Sequence, residues 1–237
     1  MRKITTLVAL LLLFGGMASA QQDAMFTKYM FNSLIFNPAY AGSKDHMALG
    51  LLHRTQWWNL EGAPTTQTLT AHTPLRNDRV GVGISLYNDV IGPTNNMGAN
   101  LDYAYRIPMG DNGKLSIGIR GSIINWRADW TRLNLPDATD PTFQDNVNVW
   151  QPNFGAGIYY YSKHFYVGAS SPNLIEYDKR ENIQTAIWAK GYRHYFFTIG
   201  GAIPIRGDAL IFKPSILVKN VGLDKTLAKD QAFQNIS

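Results

Sequence analysis

Between residues 79 and 107 apolar side chains take alternate positions, with Gly, Ser, Asn, Asp and Arg in many of the places between them. Val80, Val82, Ile84 and Leu86 share one side of a pleated chain, opposite Gly81, Gly83, Ser85 and Tyr87. After a loop, Leu101, Tyr103, Tyr105 and Ile107 alternate with Asn100, Asp102, Ala104 and Arg106. A period of two predicts half-apolar strands. The same reading places strands at 47–57, 65–73, 79–88, 97–107, 114–126, 151–161, 165–170, 191–203 and 209–219. Such a face packs on a second sheet in a soluble sandwich and meets lipid in an outer-membrane barrel, and one hairpin does not choose between them.

The connections separate the two. "PLRND" (74–78), "PMGDNG" (108–113), "SKH" (162–164) and "PIRGD" (204–208) are short, whereas 58–64, 89–96, 127–150 and 171–190 are longer. Short turns at one end and long loops at the other are the habit of membrane barrels. Ten residues rising about 3.3 Å each and tilted roughly 45° cover about 23 Å, close to the height of a barrel's apolar band. Trp57, Trp58, Trp126, Trp130, Trp150 and Trp188 lie at strand ends or beside long loops, where a headgroup girdle would put them. The fold expected is therefore all-β, an antiparallel transmembrane outer-membrane barrel with lipid on its apolar side.

The N-terminus agrees with export. Arg2 and Lys3 precede an apolar run from Ile4 to Phe14, and a small-x-small site at Ala18 and Ala20 predicts signal cleavage before Gln21. No cysteine occurs anywhere, so neither a lipid anchor at the mature start nor a disulfide framework is expected. Removing Arg2 and Lys3 lowers the formal net charge from +5 to +3, too small and scattered an excess to argue for nucleic acid. The division expected is a signal peptide at 1–20, a periplasmic or plug segment at 21–46, barrel strands over 47–219 and a tail at 220–237.

Parity also sets a register. With odd positions outward on strands 97–107 and 114–126, a turn from Met109 to Gly113 makes facing residues sum to 222. Asp102 then lies opposite Arg120 inside the barrel, an ion pair that a wet lumen would hold to about 1 kcal/mol or less.

Other chemistry is sparse. "MFTKYMFNSLIF" (25–36) clusters Phe26, Tyr29, Met30, Leu34 and Ile35 before the helix-ending Asn37 and Pro38, which suggests a short periplasmic or lumen-plugging helix. Pro38 to Gly42 then reads as a rigid turn into the first strand. Asp137, Asp140 and Asp145 could offer oxygens to calcium but match no binding-loop spacing, so a solvated acidic loop is the better reading. His46, His53, His72, His164 and His194 lack the i, i+4 partners of a helical zinc site, and no nucleophile elbow or carboxylate pair supports a hydrolase. No cofactor, metal site or catalytic residue is assigned. Gly81, Gly83, Gly118, Gly155, Gly157 and Gly168 form no phosphate loop; they relieve crowding or permit bending in the wall.

"QQDAMFTKYMFNSLIFNPAYAGS", "RTQWWNLEGAPTTQTLTAHTPL", "GVGISLYNDVIGPTNN", "YAYRI", "LSIGIRGS" and "PNFGAGIYYYSKHFYVGAS" occur in that order. As a set they resemble the PorP/SprF family of type IX secretion and gliding-motility membrane proteins, from Gln21 to about Lys219. The motif residues are Asn37, Pro38, Tyr40, Gly42, Gln56, Trp57, Gly62, Pro64, Asp89, Gly92 and Pro93. The resemblance implies a Bacteroidota outer-membrane barrel without enzymatic activity. Its implied partners are outer-membrane lipid, the periplasmic ring and peptidoglycan-associated parts of the type IX machinery, and large secreted cargo proteins. It also implies further strands after "KPSILVK", whereas here the pattern stops near Asn220, so a shortened barrel of nine strands with an unpaired last edge is expected. A passive porin is the alternative function.

Overall fold

A computed structural model describes residues 32–76, 78–110, 112–132, 146–177, 193–205 and 210–221. Residues Ala18, Ala20, Gln21 and Trp188, the 133–145 loop with its three aspartates, and the tail from 222 lie outside them.

The strands are β1 (Ala48–Thr55), β2 (Thr65–Pro74), β3 (Val80–Ile91), β4 (Thr94–Met109), β5 (Gly113–Ala128), β6 (Val147–Ser162), β7 (Phe165–Ser171) and β8 (His194–Gly201). They continue with β9 (Ile203–Pro204), β10 (Ile211–Phe212) and β11 (Ser215–Val221). Nine of them form one antiparallel half-barrel sheet in the order β1-β2-β3-β4-β5-β6-β7-β8-β11, and β9 pairs with β10. Among the described residues β1 and β11 each pair on one side, so the sheet has two edges.

Three sequence expectations are corrected. The stretch 89–96 is no long loop: β3 runs to Ile91, β4 starts at Thr94, and Gly92 takes the left-handed φ of 54° that a two-residue hairpin turn needs. Polar Asn and Asp at 88, 89, 95 and 96 look like loop residues, yet they continue the β3–β4 ladder. The last hairpin is not continuous either, because it breaks at 202 and at 213–214, where Pro214 has no N–H for a ladder. Segment 37–42 is also more than a turn into the first strand, since it lies across the inner face of the sheet.

Parity sorts the side chains into two surfaces. Leu49, Leu51, Ile84, Leu101, Ile119, Phe154, Ile199 and Ile216 are exposed on the outer face. On the inner face Thr66, Thr68, Thr70, Ser85, Asn100, Asp102, Arg106, Ser116 and Arg120 are buried. A surface greasy outside and polar inside inverts the soluble arrangement, in which large apolar side chains are the ones withdrawn from solvent.

The inner polar groups are buried because the chain folds back onto them. Asn32, helix α1 (Ser33–Phe36), Asn37 and a 3₁₀ turn over Pro38–Tyr40 lie against β2 to β8. Their bed is a row of small residues: Gly81, Ala104, Gly118, Gly157 and Ser170 are successive register partners from β3 to β7. The segment crosses the strands along this row. A Cβ at Gly81 would strike the Ala41 carbonyl, one at Gly118 the backbone of Pro38 and Ala39, and one at Gly157 the Asn37 side chain. These glycines therefore admit the inner segment, Gly81 and Gly118 its backbone and Gly157 the Asn37 side chain, which is a different role from relieving crowding or bending the wall.

Substituting Gly118→Ala should lower the urea midpoint of the detergent-folded barrel by the equivalent of about 2–3 kcal/mol or more, the upper range of overpacking. Gly121→Ala points outward with no atom within 4 Å of the added Cβ and should change stability by less than about 0.5 kcal/mol. Loss of heat-modifiable mobility on gels reads both, and equal midpoints would contradict the seating described.

Candidate functional site

The site begins with an orphan-group problem. A one-turn helix leaves its last carbonyls unpaired within the helix, and in a buried position those oxygens need donors. Arg120 on β5 supplies two of them, donating from Nη2 to the Leu34 carbonyl (2.5 Å) and from Nη1 to that of Ile35 (2.6 Å). Ser170 on β7 donates to the carbonyl of Phe36 (2.8 Å), and the Asn37 N–H closes the turn on Ser33 (3.0 Å).

Arg120 is itself held by Asp102, its register partner on β4. Nε donates to Oδ1 at 2.6 Å and Nη2 to Oδ2 at 3.0 Å, a bidentate pair with side-chain exposures of 2% for Arg120 and 0% for Asp102. The expectation of a weak pair in a wet lumen is therefore corrected, because the pair is roofed by α1 and has no bulk water to screen it. A buried pair of this kind matters chiefly by what happens when one member is lost.

The motif residues of the inner segment are fastened one by one. Asn37 accepts from the Ala39 N–H (2.9 Å) and donates through Nδ2 to the Ile158 carbonyl (3.0 Å), so one amide both caps the 3₁₀ turn and ties it to β6. Pro38 opens that turn at the position where a missing N–H costs nothing. Tyr40 stands edge-on to His72 and Tyr159, at centroid distances of 5.3 and 5.4 Å. Burial raises the Tyr40 phenol above its usual value of 10.0, which keeps it uncharged. Gly42 has φ 68°, donates to Nδ1 of His72 (3.2 Å) and accepts from Nη1 of Arg106. Its Cα side faces Gly81 so closely that a Cβ would come to 2.6 Å.

A second cluster gathers the remaining motif residues at the long-loop end. Gly62 (φ 74°) and Gly92 (φ 54°) meet through a hydrogen bond from the Gly92 N–H to the Gly62 carbonyl (2.9 Å). The Asp129 N–H bonds the Pro93 carbonyl (2.9 Å), and the Gln56 N–H that of Pro64 (3.0 Å). Asp89 accepts from Thr66 at 2.5 Å just below. This clasp supports a loop tip at which Trp57 and Trp58 are 67% and 84% exposed, and Trp57 holds an uncommon positive φ of 52°. Trp126, Trp130 and Trp150 lie at the same end.

The structure thus brings Asn37, Pro38, Tyr40 and Gly42 together with Asp102 and Arg120, and places Gln56, Trp57, Gly62, Pro64, Asp89, Gly92 and Pro93 apart from them. Sequence reasoning missed Arg106, His72 and Ser170 as fasteners. Each sits on the inward parity of its strand, but parity alone does not say that anything lies against it. From the long-loop side, residues 172–177 add a second cover: Asn153 on β6 accepts from the Ile175 N–H and donates to its carbonyl, both at 3.0 Å.

An apolar outer face, a polar inner face and a segment of the same chain pinned to the inner face define a protein of the membrane β-barrel class. The family described as type IX secretion system membrane protein PorP/SprF matches residues 18–231, and the chain belongs to it. That match reaches residue 231, past the stretch from Gln21 to about Lys219 over which the motifs carry the resemblance. No curated protein matches the chain.

Replacing Arg120 by Met should cost about 3–5 kcal/mol, since it leaves a buried carboxylate and two helix carbonyls without donors. Adding Asp102→Leu should recover part of that loss but not all, because the carbonyls of Leu34 and Ile35 stay unpaired. Urea midpoints of the single and double variants check this, and full recovery in the double variant would show that Arg120 serves Asp102 alone.

Proposed function

We propose that this chain is a non-enzymatic outer-membrane component of type IX protein secretion that acts as a scaffold rather than a conduit. Family membership makes it part of the type IX machinery. In this reading the short-turn end and the N-terminal segment meet the periplasmic ring and peptidoglycan-associated components, and the long-loop end meets secreted cargo for surface attachment or gliding. Outer-membrane lipid covers the apolar face.

The observation that carries the reading is that the polar face of the sheet is occupied by the chain itself. A passive porin needs a hydrated lumen whose charges face passing solutes. Here Arg120 and Arg106 donate to backbone carbonyls of the inner segment, and the carboxylate of Asp102 is spent on Arg120. Side chains used to hold a fixed segment are not available to select ions. The clasped loop end, by contrast, offers exposed aromatic surface, a chemistry common at protein contacts.

Crosslinking in intact cells followed by capture of the chain from outer membranes should recover ring and peptidoglycan-associated components. The same purified protein in planar bilayers should give no steady conductance. Heat-modifiable barrel recovered without those components, together with steady ohmic conductance, would establish the porin instead.

A further inference from the structure

We propose that the outer face carries a specific site for one ester-linked acyl chain of a lipid A of the leaflet at the long-loop end, distinct from the lipid that merely surrounds the barrel. The proposal rests on the reading that this face meets lipid.

The outer surface is not evenly covered. Moving away from the long-loop end, one row of register partners is Leu69, Leu86, Ala99 and Ile123, and the next is Ala71, Ile84, Leu101 and Gly121. Bulky side chains fill most places, but Ala99 on β4 and Gly121 on β5 are small and lie diagonal to each other. The gap they leave is a groove in two adjoining parts, of about 530 Å³ and about 320 Å³, and Ala99 and Ile123 line both. A Cβ at Gly121 would meet nothing within 4 Å, so its floor is open rather than packed by a neighbour. The walls are Leu86 on one side and Ile123 and Phe154 on the other.

One end of the groove is polar. Gln67 and Asn88 are register partners on β2 and β3, both line the larger part, and both belong to the outward parity of their strands. Amides are costly in hydrocarbon unless hydrogen-bonded. They stand near the loop end of their strands, level with Trp150, which also lines the groove and is 57% exposed. Tryptophan marks the depth of the headgroups, so the amides lie where ester carbonyls occur. Those carbonyls accept hydrogen bonds that the amide NH₂ groups can donate. An acyl chain leaving the ester toward the bilayer centre would run past Ala99 to Gly121. A protein helix is about 10–12 Å across with its side chains, too wide for a cleft one residue broad.

The test uses the full mature chain, purified in mild detergent, stripped of lipid and then offered purified lipid A. Native mass spectrometry should show one lipid retained per chain after detergent washing. Ala99→Leu and Gly121→Leu, which fill the floor, should each lower retention at least about tenfold, as loss of several buried methylene contacts requires. The double variant Gln67→Leu/Asn88→Leu should weaken retention while leaving the groove open. Gly121→Leu projects into open space and keeps the test valid if Ala99→Leu fails to fold. No retained lipid in the natural sequence, equal retention in both floor variants, or a second copy crosslinked at position 99 would overturn the proposal. Vesicles of dibrominated phosphatidylcholine separate the two layers of argument. Quenched tryptophan fluorescence without retained lipid sinks the groove alone, and unquenched tryptophans sink the membrane-facing reading beneath it.

Discussion

The arrangement depends on a single guanidinium. Arg120 has donors in a rigid fork, and the structure divides them between the carboxylate of Asp102 and the last carbonyls of α1. Neither half of this arrangement stands well alone. Without the inner segment the pair would sit in a wet channel and contribute little; without Asp102 the arginine would be a buried cation facing only dipoles. The wall and the segment thus define each other. The pair offers a geometric reason for register as well, because a one-residue slip of β4 on β5 would send Asp102 or Arg120 into the apolar outer face.

Small residues make that charge arrangement possible. An inner segment can approach a sheet closely enough for side-chain-to-backbone hydrogen bonds only where the sheet's side chains are small or absent. The row from Gly81 through Ala104, Gly118 and Gly157 to Ser170 provides such a path at right angles to the strands. Asn37, Pro38 and Gly42 fit it for separate reasons: an amide that bonds in two directions, a ring that opens a 3₁₀ turn, and a left-handed φ. The motif residues at the loop end obey a different constraint, since Gly62 and Gly92 permit two turns to touch backbone to backbone.

Much of this was legible in the sequence and some was not, for identifiable reasons. The alternation over 79–107 depends only on the pleat, the sum of 222 adds to it the turn from Met109 to Gly113, and the β4–β5 ladder pairs Asp102 with Arg120 in that register. The hairpin at Gly92 was obscured because Asn and Asp, which usually signal loops, here continue strands whose inward side is polar. The glycines were visible as inward-facing, but their purpose was not. A glycine that admits another backbone and one that merely bends a strand look alike until the approaching chain is placed. The helical character of 25–36 gave a plug as one reading, and its one described turn, Ser33–Phe36, lies against the sheet. No rule of periodicity could have said which strands it would cross.

The same physics argues about what such a wall is suited to do. A conduit keeps its lining groups solvated and spreads them along a path, so that each solute binds weakly and leaves. In this half-barrel the lining groups converge on backbone atoms of residues 34, 35, 36 and 42, the Asn37 side chain bonds back to the wall, and Asn153 holds Ile175 from the other side. Every such bond removes a group from water and fixes the distance between one strand and the inner segment. The result is a stiffened sheet whose strands keep their spacing to the inner segment. A filled interior is thus how a thin sheet of strands in a membrane component of the type IX machinery can be made stiff.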